Sequence, residues 1–85
     1  MNTQYYLDAL DLCVARAIKE NYSGPAYVII KDIKSIVESD WEKTAFNGKF
    51  PITPRRIGPS LRRLGGCAYR GRDCYGYQFD DVDNI

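Results

Sequence analysis

Apolar residues recur along this chain in three different rhythms, and each rhythm predicts a different element. Leu7, Leu10, Val14, Ala17 and Ile18 stand three and four residues apart and form one stripe. They predict a helix from about Gln4 to Glu20, with Asn2 or Thr3 as N-cap and Asp8, Asp11, Arg16 and Lys19 mostly facing away. Asn21-Tyr22-Ser23-Gly24-Pro25 ends it. Tyr27 to Ile30 is a short, β-branched run and predicts a brief strand. A second helix follows from about Asp32 to Ser39, with Ile33, Ile36 and Val37 inward.

The stretch from Asp40 to Ile52 carries Trp41, Phe46, Asn47-Gly48 and Phe50-Pro51, which predicts an ordered loop anchored by its aromatic rings. Thr53-Pro54 opens a third helix, in which Thr53 caps with its side chain and Pro54 occupies the first turn, where its missing N–H costs nothing. Pro59 removes a bond to the carbonyl of Arg55, so the helix either kinks or becomes regular only near Pro59. Leu64-Gly65-Gly66 closes it with a left-handed cap. From there the pattern alternates. Tyr75, Tyr77 and Phe79 share one face of a strand, Ala68 to Arg70 forms its partner, and Gly71-Arg72-Asp73 supplies the turn.

These elements predict an α+β domain over residues 1–80, with three helices and a small antiparallel sheet ending in a hairpin. The order is that of a winged helix-turn-helix, with the hairpin as the wing. Residues 81–85 form an acidic tail expected to be frayed or loosely docked, or folded back to screen the basic face. Eighty-five residues leave no room for a second domain.

Composition narrows the chemistry. Histidine is absent, and Cys13, Cys67 and Cys74 show no C-x-x-C spacing, so one chain cannot build a Cys/His zinc site. The thiols read as free in a reducing cytoplasm, with a Cys67 to Cys74 bridge as the alternative. Walker and dinucleotide glycine patterns are missing, and Cys13 and Cys67 have no histidine to activate them. The expectation is therefore a non-enzyme with no cofactor and no metal. Apolar runs are too short to cross a bilayer and no signal peptide is visible, so the expectation is a cytoplasmic protein without a membrane partner.

Charge by segment changes the picture most. The formal net charge is +1, yet residues 1–48 carry −2, residues 49–79 carry +6, and the tail from Asp80 carries −3. Six of the seven arginines fall between Arg55 and Arg72. With Ile57 at zero and ~100° per residue, Leu61 and Leu64 lie within ~40° of it, while Arg55, Arg56, Arg62 and Arg63 lie between ~140° and ~260°. One helix face is thus apolar and the opposite face is guanidinium, without an acid from Arg55 to Leu64. Arg70 and Arg72 flank a glycine at the hairpin tip. Such a surface suits phosphates and guanine edges, or an acidic protein. Tyr69, Tyr75, Tyr77 and Phe79 read either as stacking platforms for bases or as cross-strand packing.

The run Asp40-Trp41, Phe46-Asn47-Gly48-Lys49, Ile52-Thr53-Pro54-Arg55-Arg56-Ile57, Leu61-Arg62-Arg63-Leu64-Gly65 and Tyr75-Gly76-Tyr77 resembles the small winged-helix domain at the C-terminal end of primase and helicase proteins of phages, plasmids and other mobile elements. The resemblance covers Asp40 to Phe79. It implies a winged-helix fold and a replication or mobile-element setting. The residues themselves point to non-catalytic binding of double-stranded DNA, and the resemblance implies that it serves replication or transcription regulation. Thr53, Arg55, Arg56, Ser60, Arg62 and Arg63 would lie on the groove-facing helix, with Arg70 and Arg72 on the wing. The alternative is a protein-interaction module that docks a replication, transcription or host-defence protein through the same basic face. Either would act as a monomer or a homodimer.

Overall fold

The computed structural model describes residues 3–44, 46, 48–71 and 75–85, with side chains from Leu7 onward. Among these, α1 (Thr3–Asn21), β1 (Ala26–Ile29), α2 (Ile30–Trp41), α3 (Pro54–Arg63), β2 (Cys67–Arg70) and β3 (Tyr75–Phe79) follow in order, and a 3-10 turn, Val82–Asn84, comes last. The class is α+β, with three helices packed on one another and an antiparallel sheet of order β1-β3-β2.

The predicted stripes supply most of the core, with Leu7, Ile36 and Leu64 of those stripes only partly buried against it. Leu10, Val14, Ala17 and Ile18 of α1, Ile33 and Val37 of α2, and Ile57 and Leu61 of α3 are all buried, and Val28, Tyr77 and Phe79 meet them from the sheet. Burying one such side chain stabilises the fold by about 1.5–3 kcal/mol, so this cluster holds three helices and a sheet that are each too small to persist alone.

α2 begins directly at Ile30 and runs two residues past the predicted end. Asp32 in its first turn suits the positive helix N-terminus. At the other end Trp41 is fully buried, and its indole N–H donates to the carbonyl of Phe50 at 2.7 Å. Tertiary burial therefore carries the helix through Ser39 and Asp40. The aromatic loop is ordered as expected: Phe46 stacks on Trp41 at 5.7 Å, Phe50 lies 6.5 Å from Phe46, and the amides of Lys49 and Phe50 both donate to the Phe46 carbonyl.

α3 runs unbroken across Gly58-Pro59, so the expected late start near Pro59 does not occur. Gly58 is where the helix approaches the sheet, since a Cβ there would stand 3.3 Å from the Tyr77 hydroxyl. Thr53 occupies the N-cap position, but its side chain makes no capping bond. Its carbonyl accepts from the amides of Arg56 and Ile57 instead, and Pro54 presets the first turn. The C-terminus matches expectation. Gly65 adopts φ +104°, its amide donates to Arg62, and the Gly66 amide donates to Leu61, the paired bonds of a Schellman cap.

Of the two expected states of the acidic tail, frayed or loosely docked, the structure shows a docked one. Val82 is fully buried, its amide donates to the Gly24 carbonyl at 2.9 Å, and Asp83 accepts from the Gly24 amide at 3.3 Å. Two apolar residues among the acids decide this, because Val82 completes the core beside α1 and Ile85 packs against it, while Asp80, Asp81 and Asp83 remain at the surface.

Candidate nucleic-acid interface

The helical phase of α3 divides its arginines into two groups. Arg55 and Arg62 are exposed on the side away from Ile57 and Leu61. Arg56 is half-buried, its guanidinium 5.6 Å from the centre of the Phe50 ring and its Nη1 donating to the Pro51 carbonyl at 2.8 Å. The aromatic loop thus fixes the direction of that side chain through a cation–π contact and a hydrogen bond.

Arg63 turns toward α1. Its Nη2 donates to Oδ1 of Asp11 at 2.8 Å and its Nε to Oδ2 at 2.9 Å, a bidentate pair. Ser60 is fully buried, and its hydroxyl donates to the same Oδ1 at 2.6 Å. The placement of Ser60 on the groove-facing surface is therefore corrected: this hydroxyl fastens α3 to α1. Asp11 was expected to face away from the core and instead receives both groups. In the helical wheel Asp11 lies ~60° from Val14 and Ser60 lies ~60° from Ile57, so both sit at the border of their apolar stripes. A polar residue at such a border is the signal that the sequence did offer.

The hairpin adds Arg70. It is exposed on β2 and stands directly opposite Tyr75 of β3, so it shares the face carrying Tyr75, Tyr77 and Phe79. Tyr77 reaches Gly58 of α3 on that face, which puts Arg70 on the same side of the sheet as α3. Arg72 lies outside the described residues, as does Asp73 of the predicted Gly71-Arg72-Asp73 turn. Of the four candidate stacking rings, Tyr77 and Phe79 are buried in the core. Tyr75 and Tyr69 are exposed on opposite faces, Tyr75 edge-on to Tyr77 and Tyr69 edge-on to Tyr27 at 5.6 Å. The four therefore do not form one platform.

The tie between Tyr27 and Tyr69 was not expected from the sequence. The Tyr27 hydroxyl donates to the Tyr69 carbonyl at 2.8 Å, from β1 across β3 to β2. Its ring crosses over Gly76, where a Cβ would stand 3.0 Å from the ring and would collide with the Val28 carbonyl. Gly76 is thus the residue that lets one edge strand hold the other.

The remaining chemistry is quiet. Cys67 is a free, exposed thiol paired opposite Gln78, while Cys74, its candidate disulfide partner, lies outside the described residues. Burial pushes the Cys13 thiol up from its ordinary pKa, and the Asp40 carboxylate adds to the shift against Arg16. A raised thiol pKa keeps the sulfur protonated and unreactive. Among the described residues, no cluster of three or more metal-ligating side chains occurs, and no helix is long and apolar enough to cross a membrane. Comparison of the chain with protein-family models, curated proteins and solved structures finds no match.

Proposed function

We propose that this protein is a winged helix that binds duplex DNA without catalysis, in a replication or regulatory role in a phage or mobile-element setting. α3 enters the major groove, and the β2–β3 hairpin lies along the backbone beside it. The observation that carries this reading is the exposure of Arg55 and Arg62 on α3 together with Arg70 on the same side of the sheet. Element order supports it too, since a helix, a strand, two helices and a hairpin with β3 central is what a winged helix requires. The setting rests on the residue-level resemblance between Asp40 and Phe79.

Arg56 approaches DNA from a prearranged position on Phe50, whereas Arg63 has its charge matched by Asp11 and acts as a positioning residue for α3. Its partner Asp11 holds the helix at the angle from which Arg55 and Arg62 project. Thr53, half-buried at the helix N-terminus, places its turn toward a phosphate.

A duplex titration at several salt concentrations tests the proposal. If Arg55, Arg62 and Arg70 each neutralise one phosphate, log K falls with log[salt] at a slope of about −2.7. Arg55→Ala with Arg62→Ala removes about two-thirds of that slope and changes stability by less than about 0.5 kcal/mol. Arg63→Ala leaves the slope nearly intact but lowers stability by about 1–3 kcal/mol, because the Asp11 carboxylate loses its bidentate partner. Absence of duplex binding at about 50 mM salt would replace the DNA reading with the protein-docking one.

A further inference from the structure

The outermost point of α3 is held by a residue that the charged surface does not use. The buried residues of the helix are Ile57, Gly58, Ser60 and Leu61. Counted from Arg55 at ~100° per residue, they spread from ~140° to ~300° around the axis, with their middle near ~220°. Pro59 stands at ~40°, directly opposite that middle, and it is exposed. The helix runs unbroken through it, although an interior proline forfeits a backbone hydrogen bond.

Two rows of guanidinium flank this apex. Arg55 and Arg62 lie ~40–60° to one side of Pro59, and Arg63 and Arg56 lie as far to the other. The second row is held within the fold, Arg63 by Asp11 and Arg56 by Phe50 and Pro51, while Arg55 and Arg62 project from the surface. An α-helix about 10–12 Å across fills a major groove about 12 Å wide. A helix seated there turns its apex to the base edges and its flanks to the phosphate walls, so arginine meets the backbone and Pro59 meets the bases.

The chemistry of the apex then limits what is read. Both chain neighbours of Pro59, Gly58 and Ser60, are buried, and the Ser60 hydroxyl is spent on Asp11. A pyrrolidine ring offers only carbon to a base edge. The carbon group that unmodified base pairs present in the major groove is the C5-methyl of thymine, and 5-methylcytosine carries the same group at the same ring position.

We propose that Pro59 reads the C5-methyl group of a pyrimidine, so that α3 prefers duplexes with thymine or 5-methylcytosine under its apex, while Arg55 and Arg62 hold the adjoining phosphates whatever the sequence. This preference rests on the duplex-DNA reading of α3, and it supplies the base discrimination that phosphate contacts lack.

Removing and adding the methyl group tests it. The full chain is titrated at about 50 mM salt with an alternating A·T duplex and with the same duplex carrying uracil at every thymine, which deletes the methyl groups and keeps every hydrogen-bonding group. A second pair compares a G·C duplex with its form methylated at C5 of every cytosine. Binding is expected to be about fourfold weaker on the uracil duplex and about fourfold tighter on the methylated one, the equivalent of one buried carbon group. Pro59→Ser erases both differences and leaves the salt slope unchanged, because no charge is lost. It also keeps the fold, since the helix interior regains an amide. A response in one pair assigns the site to that base, and a response in both assigns it to the methyl of either pyrimidine. Equal affinity within both pairs overturns the preference and leaves phosphate-based duplex binding standing, and so does a difference that persists in Pro59→Ser. Absence of duplex binding removes the preference together with the reading beneath it.

Discussion

β1 and β2 flank the same strand, and each pairs with four residues of β3 in antiparallel register, yet one is part of the core and the other stands outside it. Val28 and Ala68 make the contrast sharpest. Both are opposite Tyr77, on its two sides. Val28 is fully buried and Ala68 is exposed, as is every residue of β2. Backbone pairing therefore does not decide burial here. The helical layer decides it, since α2 packs on β1 and β3 while β2 lies beyond the helices and relies on β3 and on the Tyr27 tie. An edge strand held in this way keeps its shape and leaves Arg70 accessible. A strand folded into the core would not.

Substitution of the shared strand breaks both sides at once. Gly76→Val places a branched side chain where even a Cβ meets the Val28 carbonyl and the Tyr27 ring. It should cost about 3 kcal/mol, a large part of the stability of so small a domain, and urea denaturation would register it as a lower midpoint. A reciprocal swap tests the contrast directly. Val28→Ala should cost about 2 kcal/mol through the lost burial and the cavity left behind. Ala68→Val, on the exposed side of the same Tyr77, should stay within about 0.5 kcal/mol. Equal effects would mean that the helices cover both edges alike.

The smallest expected effect isolates the tie. Tyr27→Phe removes the hydroxyl but keeps the ring over Gly76, so global stability should fall by only about 0.5–1 kcal/mol. Amide hydrogen exchange would locate the loss, with the β2 partners of β3 exchanging faster while β1 amides remain protected. Uniform loss of protection across the sheet would show that Tyr27 supports the whole core and not β2 in particular.

Most of the fold was legible because apolar periodicity is local. The α1 and α3 stripes, the cap at Gly65-Gly66, the aromatic loop and the alternation of β3 all follow from spacing within one element. The undecided and misread positions share a different cause. The acidic residues of 81–85 leave a frayed and a docked tail equally open, because nothing in that segment reveals the space beside α1 that Val82 fills. Ser60 was grouped with the arginines because its partner, Asp11, is 49 residues away. In the same way Arg62 and Arg63 are neighbours with one side-chain chemistry, and it is the position of α1 beside one phase of α3 that gives Arg63 its carboxylate partner.

By itself, the sequence determined where helices and strands begin and end to within a few residues, which helix stripes supply most of the core, and that the positive charge is concentrated on α3 and the hairpin. Those properties depend on side-chain volume, backbone conformation and charge, which each residue carries with it. The tertiary structure alone decided which arginines face outward, which strand edge is covered, and that Tyr27 reaches over Gly76 to hold β2. These depend on distances between elements far apart in the chain, and no local pattern encodes them.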